Sequence, residues 1–142
     1  MTSASDLRIG IAVAAFNEVI TAGLLSAAEA ALFDVGEVTV VRVPGAWELP
    51  LAARALALDG VDGVVAIGAV IEGETDHYQF IAAEASRGLQ HVMLETGVPV
   101  GNALLTVRKL EHARERSARG AGNKGAEAAS AVLDTIRALR SI

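Results

Sequence analysis

The 142-residue chain contains no cysteine, which excludes disulfides, thiolate catalysis and cysteine-ligated metal sites. No apolar run approaches the roughly 18 uninterrupted residues of a membrane span, so no membrane partner is expected. The first seven residues lack the charged and apolar regions of a signal peptide. These absences together predict a cytoplasmic location.

Motifs of several common chemistries are also missing. There is no Walker loop, no GxSxG elbow and no GxGxxG after the first predicted strand, which argues against a flavodoxin-like electron carrier. The three histidines are scattered, without HxH or HxxxH spacing, so no metal site is expected. A net charge of −5 argues against nucleic acid as the main partner.

The composition is instead rich in small apolar residues, with 52% hydrophobic side chains. The length suits one domain that can bury a proper core, so residues 1–142 are expected to form a single domain. The hydrophobicity is high for a monomer of this size, which indicates apolar surface buried between subunits.

Apolar and turn patterns divide the chain into alternating strands and helices. The predicted strands are Arg8–Ala14, Val38–Val43, Gly63–Ile71 and Val100–Val107. The predicted helices are Val19–Phe33, Pro50–Leu58, His77–Glu95 with Asp76 as its cap, Leu110–Ala118 and Lys124–Ser141. This alternation predicts a three-layer α/β/α fold with a four-stranded parallel sheet and flavodoxin-like, doubly wound topology.

The segments that follow the predicted strands carry residues suited to ligand binding. In an open α/β sheet, ligands lie in the crevice beyond the carboxyl ends of the strands. The residues in these positions are Phe16 and Asn17, Gly45–Glu48, Glu72–His77, Asn102 on the fourth strand, and Arg116, Asn123 and Lys124 beyond it.

Three of these side chains have two interpretations each. Trp47 is either a core or interface anchor or a stacking surface for a flat heterocycle. Phe16 taken alone favours the core, but its place beside a strand end strengthens the stacking interpretation. Glu48 either stabilises a helix N-terminus or accepts a hydrogen bond from a ligand, and its sequence position does not separate the two.

His77 stands at a predicted helix start, where the positive end of the dipole favours the neutral imidazole. Such a group can accept and return protons near neutral pH, whereas the alternative is a solvated surface histidine. Just before it, backbone N–H groups at Glu74 and Thr75, with the Thr75 hydroxyl, can bind an anion such as phosphate.

That anion site would need a cation, because Glu72, Glu74 and Asp76 surround it. Arg116 or Lys124, from this chain or a neighbour, could supply one. The alternative is that the arginines around Arg116 form a solvated basic face of a helix.

Five segments in order carry a family resemblance from Arg8 to Leu139. They are Ala15-Phe16-Asn17, Val43–Pro50, Gly68–His77, Leu94–Pro99 and Gly122–Glu127. In these segments the chain resembles the 6,7-dimethyl-8-ribityllumazine synthases of riboflavin biosynthesis. The resemblance implies a condensation of 5-amino-6-(D-ribitylamino)uracil with 3,4-dihydroxy-2-butanone 4-phosphate that releases phosphate and water and uses neither a metal nor an organic cofactor.

The resemblance also implies residue roles and an assembly. Members form homopentamers, and some assemble twelve pentamers into a hollow shell, with riboflavin synthase as a further partner. His77 would transfer protons, and Glu74, Thr75 and Arg116 would bind phosphate. The pyrimidine would contact Phe16, Ala46, Trp47, Glu48, Ala69, Val70 and Ile71 of one subunit, and Asn102 and Lys124 would come, with Arg116, from the neighbouring subunit.

Four departures from the family pattern leave rival interpretations open. Glu72 stands in place of the usual arginine, Asn102 and Trp47 in place of phenylalanine, and Ser117–Arg119 in place of Ala-Gly-Thr. Glu72 and Asn102 motivate the alternative of a lumazine- or flavin-binding paralogue without activity. An archaeal-type riboflavin synthase and a structural shell protein with a vestigial site are the other rivals.

Overall fold

The computed structural model describes residues 3–142, so Met1 and Thr2 of the N-terminal arm lie outside the described residues. Strands and helices alternate along the described chain up to the fourth strand, which two successive helices follow. In order they are β1 Arg8–Ala14, α1 Glu18–Ala31, β2 Glu37–Val43, α2 Leu49–Leu58, β3 Gly63–Ile71, α3 His77–Thr96, β4 Val100–Val107, α4 Leu110–Ser117 and α5 Lys124–Arg140, with short 3-10 turns at Ala4–Asp6 and Ala46–Glu48.

The four strands form one parallel sheet in the order β2-β1-β3-β4. β1 and β3 are buried almost throughout, as expected for central strands covered by helices on both faces. The predicted three-layer fold with its doubly wound topology is therefore confirmed. The chain reverses its winding direction between β1 and β3, which is where such folds open a crevice.

A separate hydrophobic core covers each face of the sheet. On one face, α1, α4 and α5 pack on Ile9, Ile11 and Val65. On the other face, α2 and α3 pack on Ala12, Val64 and other small residues. Within residues 3–142, no helix is both long enough and apolar enough to cross a membrane.

The structure differs from the predicted elements mainly at helix ends. The 3-10 turn at Ala46–Glu48 precedes α2 and was not expected from the sequence. The predicted cap by Asp76 is wrong, because this residue occupies the N-cap position but its side chain makes no capping hydrogen bond. Its backbone is already helical, whereas a capping side chain usually needs an extended N-cap residue. The hydroxyl of Thr75 accepts instead, from the His77 N–H at 3.3 Å.

Asn123 joins three segments at the start of α5. Its side chain is buried, and its Oδ1 accepts hydrogen bonds from the N–H groups of Gly125 and Ala126 at 2.8 and 3.3 Å. Its Nδ2 donates to the carbonyls of Gly23 and Ala118 at 3.3 and 3.0 Å. One amide therefore caps α5 and ties it to α1 and to the end of α4, which sets the direction in which Lys124 leaves the helix.

We expect Asn123→Ala to lower the free energy of unfolding by about 2 kcal/mol, because it leaves buried backbone groups without partners and removes a helix cap. Asn123→Ser keeps a hydroxyl acceptor for the cap and loses the amide donor, so it should cost less. Denaturant unfolding at one fixed protein concentration measures both. Equal losses for the two variants would contradict the capping role.

Candidate active site

A cavity of about 440 Å³ opens at the carboxyl ends of β1, β2 and β3, at the winding switch. Its volume lies in the range of small-molecule sites, about 300–1,000 Å³. Its walls come from the three loops that follow these strands and from the first turn of α3. The lining residues are Phe16, Asn17, Gly45, Ala46, Trp47, Ala69, Val70, Ile71, Gly73, Thr75, His77, Tyr78 and Ile81.

Two large aromatic side chains line this cavity and are exposed to solvent. Phe16 is 70% exposed and Trp47 is 59% exposed, so neither belongs to the core. The core interpretation weighed for them is therefore wrong. An exposed aromatic ring offers a flat apolar face, and two such rings at one cavity suit a planar heterocycle.

The third wall of the cavity is the end of β3. Ala69, Val70 and Ile71 all line it, and Ala69 is buried while the other two are half-buried. Because they end a strand, their backbone groups are held in place by the β4 ladder, where Ala69 pairs with Leu105 and Ile71 with Val107. A strand end of this kind presents rigid peptide groups, which suits recognition of a ring edge.

Asn17 connects the aromatic wall to the end of β3. It is the one non-glycine residue among residues 3–142 with positive φ, at 62°, and its ψ of 50° places it in the left-handed helical region. Its Nδ2 donates to the carbonyl of Ala69 at 2.9 Å. Asparagine tolerates this conformation better than most residues, so the turn points Phe16 outwards while the amide ties the turn to β3.

The loop before α3 brings a hydroxyl and an imidazole into the cavity. Thr75 and His77 both line it, and both are exposed. The Thr75 Oγ1 accepts from the His77 N–H, which leaves its O–H available as a donor to an anion. His77 begins α3, so its side chain reaches the cavity from the N-terminal end of a 20-residue helix.

Glu48 and Glu74 do not line this cavity, although the sequence predicted both as site residues. The Oε1 of Glu48 accepts from the Gly45 N–H at 2.9 Å. This contact fits the interpretation of Glu48 as a local stabiliser of the turn at the start of α2. Glu74 is exposed in the loop, next to Thr75.

Asn102, Arg116 and Lys124 gather elsewhere, in a second cavity of about 270 Å³ beside the edge strand β4. The two cavities share no lining residue within the described chain. The Arg116 guanidinium donates to the His112 carbonyl at 3.1 Å, and the Asn102 Oδ1 accepts from the Leu104 N–H at 2.9 Å. The predicted site residues are therefore assembled in two places on one chain.

Of the cationic side chains that line the second cavity, Lys124 is paired with a carboxylate. The Lys124 ammonium lies 3.1 Å from both carboxylate oxygens of Glu127, one turn further along α5. Arg116 lies in the last turn of α4 and lines the same cavity. Among residues 3–142, no group of three histidine or acidic side chains is arranged to hold a metal ion.

Some cavity residues were not singled out as site residues from the sequence. Asn17 was placed in the turn after β1 but given no role, and Tyr78 and Ile81 were assigned only to a helix. Ile81 follows His77 by four positions and Tyr78 by three, so it lies next to both on the cavity side of α3. That helical spacing was the available signal for Ile81, whereas the left-handed backbone of Asn17 leaves no such signal in the sequence.

Comparison with known proteins places these features in one family. The family model described as "6,7-dimethyl-8-ribityllumazine synthase" matches residues 6–140. The 6,7-dimethyl-8-ribityllumazine synthase of Nitratidesulfovibrio vulgaris strain Miyazaki F is 44% identical over 144 aligned positions, covering 98% of this chain and 92% of that protein. The protein of the same description from strain DP4 is 46% identical with the same coverage.

We expect Asn17→Ala to lower the free energy of unfolding by about 2 kcal/mol, because alanine loses the bond to Ala69 and is strained at positive φ. Asn17→Gly loses the same bond without the strain, so it should cost about half as much. Denaturant titration of the three proteins separates the two contributions. If glycine proved as costly as alanine, backbone strain at this turn would not be the reason for asparagine.

Proposed function

This chain belongs to the 6,7-dimethyl-8-ribityllumazine synthase family, and we propose that its two substrates meet in the cavity at the ends of β1, β2 and β3. The chain is a transferase of riboflavin biosynthesis. It condenses 5-amino-6-(D-ribitylamino)uracil with 3,4-dihydroxy-2-butanone 4-phosphate to 6,7-dimethyl-8-ribityllumazine. Its family membership does not favour the alternative of a binding paralogue without activity.

The chemistry sets what the site must do. The 5-amino group attacks the ketone and water leaves to form an imine. A base then removes the proton from the carbon that bears the hydroxyl, and the phosphate departs with the electron pair of its C–O bond. The resulting enol becomes a ketone. The ribityl-bearing nitrogen attacks that carbonyl, and loss of a second water closes the ring. Each step moves protons, so the site needs a proton carrier, an anion site and close alignment of two reactants.

One observation supports placing the substrates in this cavity. Two exposed aromatic rings, a rigid strand end and an imidazole all line it. Phe16 and Trp47 form the walls for the pyrimidine ring. The backbone of Ala69, Val70 and Ile71 hydrogen-bonds its edge. The ribityl chain lies towards Ala46, which lines the cavity, and towards Glu48 at the start of α2.

The loop before α3 forms the phosphate end of the site. Thr75, whose oxygen accepts from the His77 N–H, donates its own hydroxyl proton to the anion, and backbone N–H groups beside Glu74 bind it as well. His77 stands between this loop and the cavity, so it can carry protons between the reacting nitrogen, the ketone oxygen and the departing groups. Charge balance requires a cation at the phosphate, and no lysine or arginine among residues 3–142 lines the first cavity.

Arg116, Lys124 and Asn102 of a neighbouring subunit supply what this cavity lacks. On their own chain they line a separate cavity beside the edge strand β4, which shares no described lining residue with the first. Large apolar side chains also remain exposed, with Val19 at 86% and Phe33 at 84%, which fits burial between subunits. The homo-oligomer is a pentamer, alone or as part of a larger shell. A cytoplasmic location, a single domain over residues 1–142 and a complex with riboflavin synthase remain predictions.

We expect His77→Ala to lower kcat by about 10²-fold and to leave both KM values close to those of the wild type, because general acid–base catalysis is lost while proximity remains. His91→Ala is the control, since His91 is also exposed on α3 but pairs with Glu95 outside the cavity. Lumazine absorbance follows the turnover. Complete loss of activity in His77→Ala with normal binding of both substrates would contradict the role of proximity.

The shared site predicts complementation between two impaired variants. His77→Ala damages the first cavity, and Arg116→Ala damages the second. In oligomers co-assembled from equal amounts of both, about one quarter of the sites should combine two intact halves, because each site draws its halves from different subunits in a ring. Activity should therefore rise well above that of either variant alone.

The matched control for complementation mixes His77→Ala with Trp47→Ala. Both substitutions damage the first cavity, so no site in the mixed oligomer has an intact first half and activity should stay low. Recovery in both mixtures, or in neither, would contradict a site divided between subunits in this way.

A further inference from the structure

The loop between β3 and α3 carries three carboxylates in five residues, at Glu72, Glu74 and Asp76. This density is unfavourable for the phosphate that the loop is proposed to bind. Glu72 directly follows β3, so its carboxylate lies at the base of the loop. A charge of the wrong sign at the base of an anion site requires compensation from a nearby cation.

The structure places such a cation beside Glu72. The backbone N–H of Glu72 donates to the Val107 carbonyl at 2.9 Å, which is the last rung between β3 and β4. Arg108 follows Val107, so its side chain leaves the sheet next to Glu72. The Arg108 Nε lies 3.7 Å from the Glu72 Oε2.

No other carboxylate of the loop forms an ion pair with a cation in the described part of the chain. The next residue, Lys109, pairs with Glu111 at 3.9 Å rather than with the loop. In the second cavity, Lys124 is held by Glu127, and Arg116 donates to a backbone carbonyl. Arg108 is therefore the cation of this chain that is placed to cancel the charge of Glu72.

We propose that Arg108 is a positioning residue for phosphate binding that acts through Glu72. By neutralising this carboxylate it removes the excess negative charge at the base of the loop, so that Thr75 and the adjacent N–H groups can receive an anion. The inference rests on the proposed placement of the phosphate. The pair is exposed on the isolated chain, so its effect is modest and sensitive to salt.

The test compares Arg108→Gln, Glu72→Gln and the double variant with the wild type, as complete oligomers. Removing Arg108 leaves Glu72 uncompensated, so the KM for the butanone phosphate should rise about two- to fivefold, with kcat and the KM for the pyrimidine unchanged. The double variant restores the net charge and should return to the wild-type KM. The effect of Arg108→Gln should shrink between about 0.1 M and about 1 M salt.

Lys109→Gln is the matched control, because it removes the same charge from the adjacent residue without breaking the pair with Glu72. Its effect should be smaller, and it should add to that of Glu72→Gln instead of being cancelled by it. Arg108→Lys keeps the charge and should retain the wild-type KM. It also separates loss of charge from a folding defect of Arg108→Gln.

Binding of inorganic phosphate, measured by calorimetry, gives a readout that does not depend on turnover. Weaker phosphate binding in Arg108→Gln that is restored in the double variant supports the inference, even if the wild type made no lumazine and the proposed function failed. An unchanged KM and phosphate affinity in Arg108→Gln overturns it. A double variant as impaired as Arg108→Gln, or a Lys109→Gln variant equally coupled to Glu72, also overturns it.

Discussion

The parallel direction of all four strands is the constraint on which the site depends. In a parallel sheet every carboxyl end lies on the same edge, so the loops after β1, β2 and β3 meet although they are far apart in sequence. The winding switch between β1 and β3 leaves a gap between these loops that no crossover covers. The hydrogen bond from Asn17 to Ala69 spans this gap and holds its two sides at a fixed separation.

The two ends of the site differ in their physical character. The pyrimidine end is built on rigid elements, since the rings of Phe16 and Trp47 leave short turns and the third wall is the end of a central strand. The phosphate end is an exposed and acidic loop. In the proposed site, its anion affinity would depend on charges from outside the loop, namely Arg108 beside Glu72 and Arg116 of a neighbouring subunit.

Assembly of the subunits is consequently needed to complete the proposed active site. One chain carries both halves of a site, but the halves lie on different parts of the sheet, at the winding switch and at the β4 edge. In a ring of subunits, the first cavity of each subunit would face the second cavity of its neighbour. Every cavity would then be part of a complete site. The exposed apolar side chains are then an interface requirement and not a defect of packing.

The amino-acid sequence alone determined the fold class and three of the four strand spans, because β1, β3 and β4 are apolar runs bounded by clear turn residues. It also determined which strand ends carry aromatic, hydroxyl and imidazole groups. Helix ends were predicted less well, since capping depends on local backbone geometry. The choice of Thr75 over Asp76 at the start of α3 shows this.

Only the tertiary structure decided which of these groups share a cavity. It showed Phe16 and Trp47 exposed, separated Arg116 and Lys124 from His77, and paired Glu72 with Arg108. The physical reason is that hydrophobic periodicity indicates only which side of each strand or helix is buried. Contacts across strand ends depend instead on sheet order and loop conformation, as with Asn17 and Ala69, and neither has a local signature in the chain.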